Sequence, residues 1–529
     1  MAEFDWSFPY TSQRMPVFAS NAVATSQPLA AAAGLEMLRK GGNAIDAAIA
    51  TAAALTVVEP TSNGLGSDGF AIVWAGGGLH GFNGSGRSPK RLPVEHFEGA
   101  ERVPFFGWDG VTVPGAVGLW ATLSDRFGSL PFEDLMQPAV HYASDGYLVS
   151  PQTAYYWGRS FDRYTEFKPW NETFASKGRA PKVGEHVMLP DHAATLESIG
   201  ATKAEAFYRG QLAEKMAAHA AETGGWLATD DLAEHHTEEV RPIEVDYRGV
   251  SLHEIPPNGQ GIIALLALGM LSGRDLSSMA VDSADWLHVQ IEAMKLAFAD
   301  GRRSIADPKW MDIETDALLD ADYLAERAKL IDMKQAGDPG HGKPMMGGTV
   351  YLTAADADGM MVSYIQSNYT GFGSGVVVPG TGIALQNRGA CFSTEAGHPN
   401  VVEPGKRPYH TIIPGFVTHG GEPLMSFGVM GGFMQPQGHA QVMVRMFDHG
   451  QNAQAALDAP RWQVMEGRRV LFEPGFDPAV LDDLKQRGHE IELAEARTVT
   501  HGRGQIIHRM NGAYCAASDL RSDGLAIGY

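Results

Sequence analysis

Residues 332–367 read DMKQAGDPGHGKPMMGG and then TVYLTAADADGMMVSYIQS, and the change of character at Gly348-Thr349 decides the fold. Before the junction, Gly, Pro and charge displace every apolar period, which marks an exposed linker. After it strands resume: TVYLTAA, the turn Asp356-Ala357-Asp358-Gly359 and MMVSYIQS predict a β-hairpin. Further strands are expected at Gly382 to Gln386 and Thr411 to Val417.

Moving towards the N-terminus, residues 26–59 predict two consecutive helices. Ser26 caps the first and Gly41-Gly42 ends it; Asn43 caps the second, which stops before Pro60. The second helix is dominated by Ala, so it should lie very close to a neighbouring layer. From Gly69 the pattern becomes strand, turn, strand: Phe70 to Ala75, Gly76-Gly77-Gly78, Leu79 to Asn83. Helical periods dominate from Gly115 to Leu330, as in Trp286 to Arg302. Strands flanked by helices, drawn from both ends of the chain, predict an α/β sandwich with mixed or antiparallel sheets.

A chain of 529 residues with 44% hydrophobic content buries a large core without difficulty. Its formal charge of -21, with no basic run, argues against nucleic acid and anionic membranes as partners. Cys391 and Cys515 are too few for a disulfide framework and lack zinc-ligand spacing, although one bridge stays open. The opening MAEFDWSFPYTSQRMPVF lacks a basic region followed by an apolar one, and no apolar tract approaches the roughly 20 residues of a membrane span. A soluble, cytoplasmic protein is expected.

At the junction itself, Thr349 opens a strand directly after a linker. One reading is a β-branched strand starter after a glycine turn. The other is chemical: if the linker is cut there, Thr349 gains an α-amine that serves as general base for its own hydroxyl. With an ordinary pKa of about 7.7 to 8.0, an α-amine suits that task near neutral pH.

Distant segments bear on the choice. They are Gly41-Gly42-Asn43-Ala44-Ile45-Asp46-Ala47-Ala48, Pro60 with Gly64-Leu65-Gly66, Val113-Pro114-Gly115, and Pro256-Pro257 with Gly261. Gly405-Lys406-Arg407-Pro408, Gly431-Gly432, Ser518-Asp519 with Arg521, and Gly528-Tyr529 continue the series. In this order the chain resembles, over nearly its whole length, the γ-glutamyltransferase (glutathione hydrolase) family. The resemblance implies a single proenzyme that cuts itself before Thr349, giving associated fragments 1–348 and 349–529. It further implies the αββα sandwich of N-terminal nucleophile hydrolases, Thr349 as nucleophile, and the amides of Gly431 and Gly432 as the oxyanion hole. Glycine lets the backbone approach a substrate, and such donors are worth about 3 to 4 kcal/mol in the transition state. The substrate would be a small-molecule amide or γ-glutamyl compound; no metal or organic cofactor is expected, and a homodimer is compatible with this reading.

Several positions depart from the family pattern. Ser85 stands where the family's carboxylate-binding arginine belongs, with Arg87 two residues further along and returning to the same face if this segment is extended. Cys391 replaces the amine-binding aspartate, and Arg388 stands at a preceding Asn/Gln-type position. A guanidinium there attracts a carboxylate and repels an ammonium, unless Arg388 is a surface or structural ion-pair residue. His410-Thr411 replaces the family's serine pair; Ser367 keeps the hydroxyl 18 positions after the nucleophile; Tyr369, beside Asn368, aligns with a donor-contacting asparagine. Arg87, Ser367, Tyr369, Arg388, His410 and Thr411 are thus the candidate substrate-binding residues, His410 being equally readable as a structural histidine. The short run from Ser393 to Pro408 resembles the lidless, cephalosporin-acylase-like branch, which favours hydrolysis over transfer. Three functions remain in view: a γ-glutamyl amidohydrolase with transferase activity, an acylase for dicarboxylic monoamides that needs no α-amine, and an unprocessed binding homologue.

Overall fold

The hairpin at Asp356–Gly359 sits at the centre of the structure, a computed structural model that describes residues 13–339, 348–495 and 498–529. Its arms pair in register from Val350↔Gln366 to Ala355↔Met361. In chain order the strands around it are β1 (Val17–Ala19), β2 (Ala22–Thr25), β3 (Asp68–Ala75), β4 (Gly78–Asn83), β5 (Glu238–Val240), β6 (Ile243–Tyr247) and β7 (Val250–Glu254). After the linker come β8 (Gly348–Ala355), β9 (Met361–Tyr369), β10 (Gly415–His419), β11 (Glu422–Met430), β12 (Arg503–Met510), β13 (Ala513–Ser518) and β14 (Leu525–Gly528). They form two seven-stranded sheets, ordered β1-β13-β12-β11-β10-β7-β6 and β14-β2-β8-β9-β3-β4-β5. Every pairing in both is antiparallel.

The flanking helices that matter here are α1 (Pro28–Arg39), α2 (Ala44–Val58), α3 (Ala116–Phe127), α4 (Phe132–Ser144), α5 (Pro151–Tyr164), α6 (Gly261–Ser272), α7 (Ala284–Ser304) and α8 (Met434–Phe447). The period-2 alternation of β8 assigns the layers. Val350, Leu352 and Ala354 join a cluster with α1 to α5, whereas Tyr351 and Ala355 pack with Phe416, Met430 and Ile507 of the opposite sheet. A third cluster, including Leu252, Val417 and Phe427, lies between that opposite sheet and α6, α7 and α8. Three apolar interfaces between four layers make an αββα sandwich, as expected.

The Ala-rich helix α2 is buried at all of its residues, which explains its composition. Its start is an Asn43 capping box: Asn43 Oδ1 accepts from the amides of Ile45 and Asp46, and Asp46 Oδ2 accepts from the Asn43 amide at 2.9 Å. The cap expected at Ser26 is instead Gln27, whose Oε1 accepts from Leu29 and Ala30; the Ser26 hydroxyl donates to Glu59 at 2.5 Å. Two strand expectations also need correction. Within Gly382 to Gln386 only isolated bridges form, at Ala384 and Leu385, and Thr411 to Val417 contributes only its end to β10. Gly382 has φ +68°, which breaks an extended run.

Of the predicted linker, residues 340–347 lie outside the described residues. The part before them is held by side chains: His288 bonds the Asp332 carbonyl at 2.8 Å, and the Gly337 amide donates to Glu292 at 2.9 Å. Among the described residues no helix is long and apolar enough to cross a membrane.

Candidate active site

Thr349 occupies the second position of β8, is buried, and faces the space between the two sheets at one end of the sandwich. The register slips here: Gly348 pairs with Tyr369 but Val350 with Gln366, so β9 spends two residues, Ser367 and Asn368, opposite Thr349. This bulge re-aims Ser367. Its Oγ lies 3.1 Å from Thr349 Oγ1, donates to the Gly348 carbonyl oxygen at 2.7 Å, and accepts from the Tyr369 amide at 2.8 Å. A hydroxyl has one proton to give. With that proton on Gly348, Thr349 is the donor to Ser367, and its oxygen lone pairs stay free.

The oxyanion candidates follow β11, where Gly431 has φ +141° and Gly432 φ +59°, conformations that a Cβ would strain. Their amides donate to no protein acceptor among the described residues. Gln260 Nε2 fixes this loop, donating to the Gly432 carbonyl at 2.9 Å and to the Thr411 carbonyl at 2.6 Å. Arg503, which opens β12, ties the loop to Thr349: its guanidinium donates to the Thr349 carbonyl at 3.3 Å and to the sulfur of Met430 at 3.4 Å.

Beside Ser367, the sheet register sets Asp68, the first residue of β3. Asp68 is wholly buried; burial pushes its carboxyl up to about 7, against the opposing pull of Arg388. It accepts from the Gly86 amide at 3.0 Å and lies 3.1 Å from His410 Nε2. Because the Ile412 amide donates to His410 Nδ1 at 3.4 Å, the proton of this imidazole is on Nε2 and points at Asp68. Burial, with the nearby Arg388 and Arg407, holds His410 well below the usual histidine range, so the ring is neutral.

Arg388 lies inside the protein rather than on its surface. Its guanidinium stands 4.5 Å from the centre of the Tyr369 ring, and Nη1 donates to the Thr411 hydroxyl at 2.7 Å. Nε and Nη2 have no partner among the described residues. A buried donor left unmade costs about 1 to 3 kcal/mol, more when charged, so these two nitrogens are poised for an anion. Cys391 Sγ sits 3.9 Å from Nη1, and burial pushes its thiol up. Both cysteines are free.

The structure therefore gathers Thr349, Ser367, Tyr369, Arg388 and Thr411 into one connected network, while His410, next to Thr411 in the chain, turns its ring nitrogens to Asp68 and the Ile412 amide. Arg87 is not part of it. After Asn83 the chain leaves the sheet, and Arg87 pairs with Asp307 at 2.7 Å and Glu238 at 3.4 Å, lining a separate cavity of about 240 Å³ with Lys90 and His235. Ser85 turns its hydroxyl onto Asn83 at 2.7 Å. Of Asn368, Oδ1 accepts from Ser67, while Nδ2 is buried without a partner among the described residues.

Asp68, Glu59 and Arg503 went unread in the sequence. Each carried a faint signal: an acid opening the apolar run DGFAIVWA, an acid closing TVVEP, and an arginine between glycines in HGRGQII. Away from this site, His288, Glu292 and His489 converge although nothing in their spacing foretold it. Lys295 already supplies the cation there, 2.8 Å from Glu292.

Comparison with known proteins places the chain in a definite company. Residues 30–529 match the family described as Gamma-glutamyltranspeptidase. The glutathione hydrolase-like YwrD proenzyme of Bacillus subtilis is 35% identical over 511 residues, 94% of this chain and 97% of that protein. The oxamate amidohydrolase proenzyme of Klebsiella pneumoniae is 34% identical, covering 95% and 97%. Among solved structures, cephalosporin acylase from Bacillus halodurans superposes with a TM-score of 0.96 at 51% identity, covering 100% of this chain and 99% of that one.

Proposed function

The chain belongs to the γ-glutamyltranspeptidase family, and from that premise we propose that it is an autoprocessing amidohydrolase whose Thr349 first cuts the Gly348–Thr349 bond and then serves as nucleophile. The observation that carries this reading is the shared hydrogen bonding of Ser367. One hydroxyl accepts the Thr349 hydrogen bond and polarises the Gly348 carbonyl, the group that Thr349 Oγ1 must attack. Attack forms an ester at the expense of the amide, the Thr349 nitrogen taking up the hydroxyl's proton. Water then splits the ester, leaving a Gly348 carboxylate and a free Thr349 amine and hydroxyl.

In the mature enzyme that amine accepts the proton as Thr349 Oγ1 attacks a substrate amide, and returns it to the departing amine. The free amides of Gly431 and Gly432 fit the oxyanion role. Arg388, with two unused donors and a ring beneath it, suits a carboxylate on the acyl half of the substrate. Because Cys391 stands where the family keeps an aspartate, the acyl group needs no α-amine, which favours a glutaryl-type or other dicarboxylic monoamide and hydrolysis over transfer. The named activities of the oxamate amidohydrolase and cephalosporin acylase relatives support this direction.

Denaturing electrophoresis with N-terminal sequencing tests the first half: fragments 1–348 and 349–529 are expected from the native chain, and one inactive chain from Thr349→Ala. Paired glutaryl and γ-glutamyl anilides test the second, with kcat/KM for the glutaryl compound equal or better. A γ-glutamyl preference above about 100-fold, roughly 2.7 kcal/mol, would overturn it.

A further inference from the structure

Cutting the chain before Thr349 removes the covalent tether on one side of the nucleophile, and something else must then hold it. Among the described residues, the charged group that hydrogen-bonds Thr349 is Arg503, whose Nη2 donates to the Thr349 carbonyl and to Ser62 Oγ, each at 3.3 Å. Glu59, at the end of α2, forms an ion pair with the same guanidinium, its Oε1 2.7 Å from Nη1, and its Oε2 accepts from Ser26. All of Ser26, Glu59, Ser62 and Arg503 are buried. The network therefore joins the helix layer, both sheets and, through Met430, the loop of Gly431.

We propose that Arg503, braced by Glu59, is a positioning residue for the nucleophile: it fixes the Thr349 carbonyl after cleavage, and its charge favours the unprotonated form of the new α-amine. The inference rests on Thr349 being that nucleophile. Backbone geometry puts the amine nitrogen no more than about 3.6 Å from its own carbonyl oxygen, so the guanidinium stands within about 7 Å of it. A like charge at such range, inside the protein, disfavours the ammonium. Glu59 acts in the opposite sense, through Nη1, whereas Nη2 is the nitrogen that reaches the Thr349 carbonyl. Other titratable or charged groups on elements around Thr349 include Asp68 on β3, Tyr369 on β9 with Arg388 against its ring, and Tyr156 and Tyr164 on α5; burial raises all three phenols and keeps them neutral.

Two titrations test this, one of which needs no substrate. The rate of carbamylation of the Thr349 amine by cyanate, read from the mass of the N-terminal peptide of fragment 349–529, follows the free-amine fraction with pH; the acid limb of kcat/KM on a glutaryl anilide reports the same group. In Arg503→Met both limbs should move to higher pH by about 1, lowering activity on the acid limb roughly tenfold with KM nearly unchanged. Arg503→Lys should keep the limb near its native position, and Glu59→Gln should move it to lower pH. If Arg503→Met leaves Glu59 as an unpaired buried charge and does not fold, Glu59→Gln/Arg503→Gln carries the same upward expectation. A processed charge-neutral variant with native limbs overturns the role of Arg503 alone. A native small fragment that does not begin at Thr349 overturns it together with the assignment of the nucleophile.

Discussion

The Ser367 hydroxyl and the Gly348 carbonyl oxygen are 2.7 Å apart, so the carbonyl of the Gly348–Thr349 bond is hydrogen-bonded to the same oxygen that faces the Thr349 hydroxyl. If Thr349 attacks this bond as proposed, Ser367 serves as an oxyanion donor, and removing one such donor commonly costs 10²–10³ in rate, about 3 to 4 kcal/mol. Ser367→Ala should accordingly accumulate as uncut chain, with cleavage slowed roughly 100-fold in a time course on denaturing gels. Cleavage at the native rate would remove Ser367 from the chemistry.

Arg388 offers a geometric test of carboxylate recognition. Truncating one partner of a buried charge pair typically costs about 2 to 5 kcal/mol, so Arg388→Ala should lower kcat/KM for glutaryl and γ-glutamyl anilides alike by at least about 30-fold. Arg388→Lys should rescue little, because a point charge cannot reproduce the planar fork resting on Tyr369. Unchanged kinetics in Arg388→Ala would make the residue purely structural.

Asp68 predicts how stability responds to pH. Burial raises its carboxyl from an ordinary 3.8 to about 7, despite the pull of Arg388. The folded chain thus holds a proton that the unfolded chain has released, and the associated stability, complete below about pH 4, is lost as pH rises to 7. Between those limits the native protein should lose stability relative to Asp68→Asn, by at most about 4 kcal/mol. Denaturant midpoints of the two proteins at several pH values measure it, and a constant difference across that range would contradict it.

Gly34 of α1 sits directly against α2. A Cβ there would fall 2.3 Å from Thr51 Oγ1 and 2.9 Å from the Ala47 carbonyl oxygen. Alanine gains up to about 1 kcal/mol of helix propensity over glycine, but overpacking against backbone costs about 1 to 3. Gly34→Ala should therefore be the less stable protein by denaturant midpoint, and a rise in stability would show that the helices can part.

Local chemistry made much of this legible in advance. Two strand-like runs around the turn Asp356–Gly359 announced the hairpin, and Asn43 followed by Asp46 announced the α2 cap, because each depends on neighbours only a few residues away. The cap of α1 was misplaced by one residue, since Gln27 reaches the same amides that Ser26 would and frees Ser26 for Glu59. Arg87 was misplaced because alternation lapses where a strand ends, and β4 ends at Asn83. Partners such as Arg503 and Glu59, or Asp68 and His410, come from segments far apart in the chain and leave no periodic trace.

Both sheets are woven from strands on either side of the Gly348–Thr349 bond. β8 is flanked by β2, from before it, and by β9, from after it, while β12 and β7 share the other sheet. If the chain is cleaved before Thr349, neither fragment owns a complete sheet, and neither can bury its apolar faces alone. Folding of the intact chain is then a unimolecular event that depends on no concentration, whereas recovery of the cut enzyme after denaturation is a meeting of two incomplete halves, second order and exposed to aggregation. The molecule would be born by one route and unable to return by it.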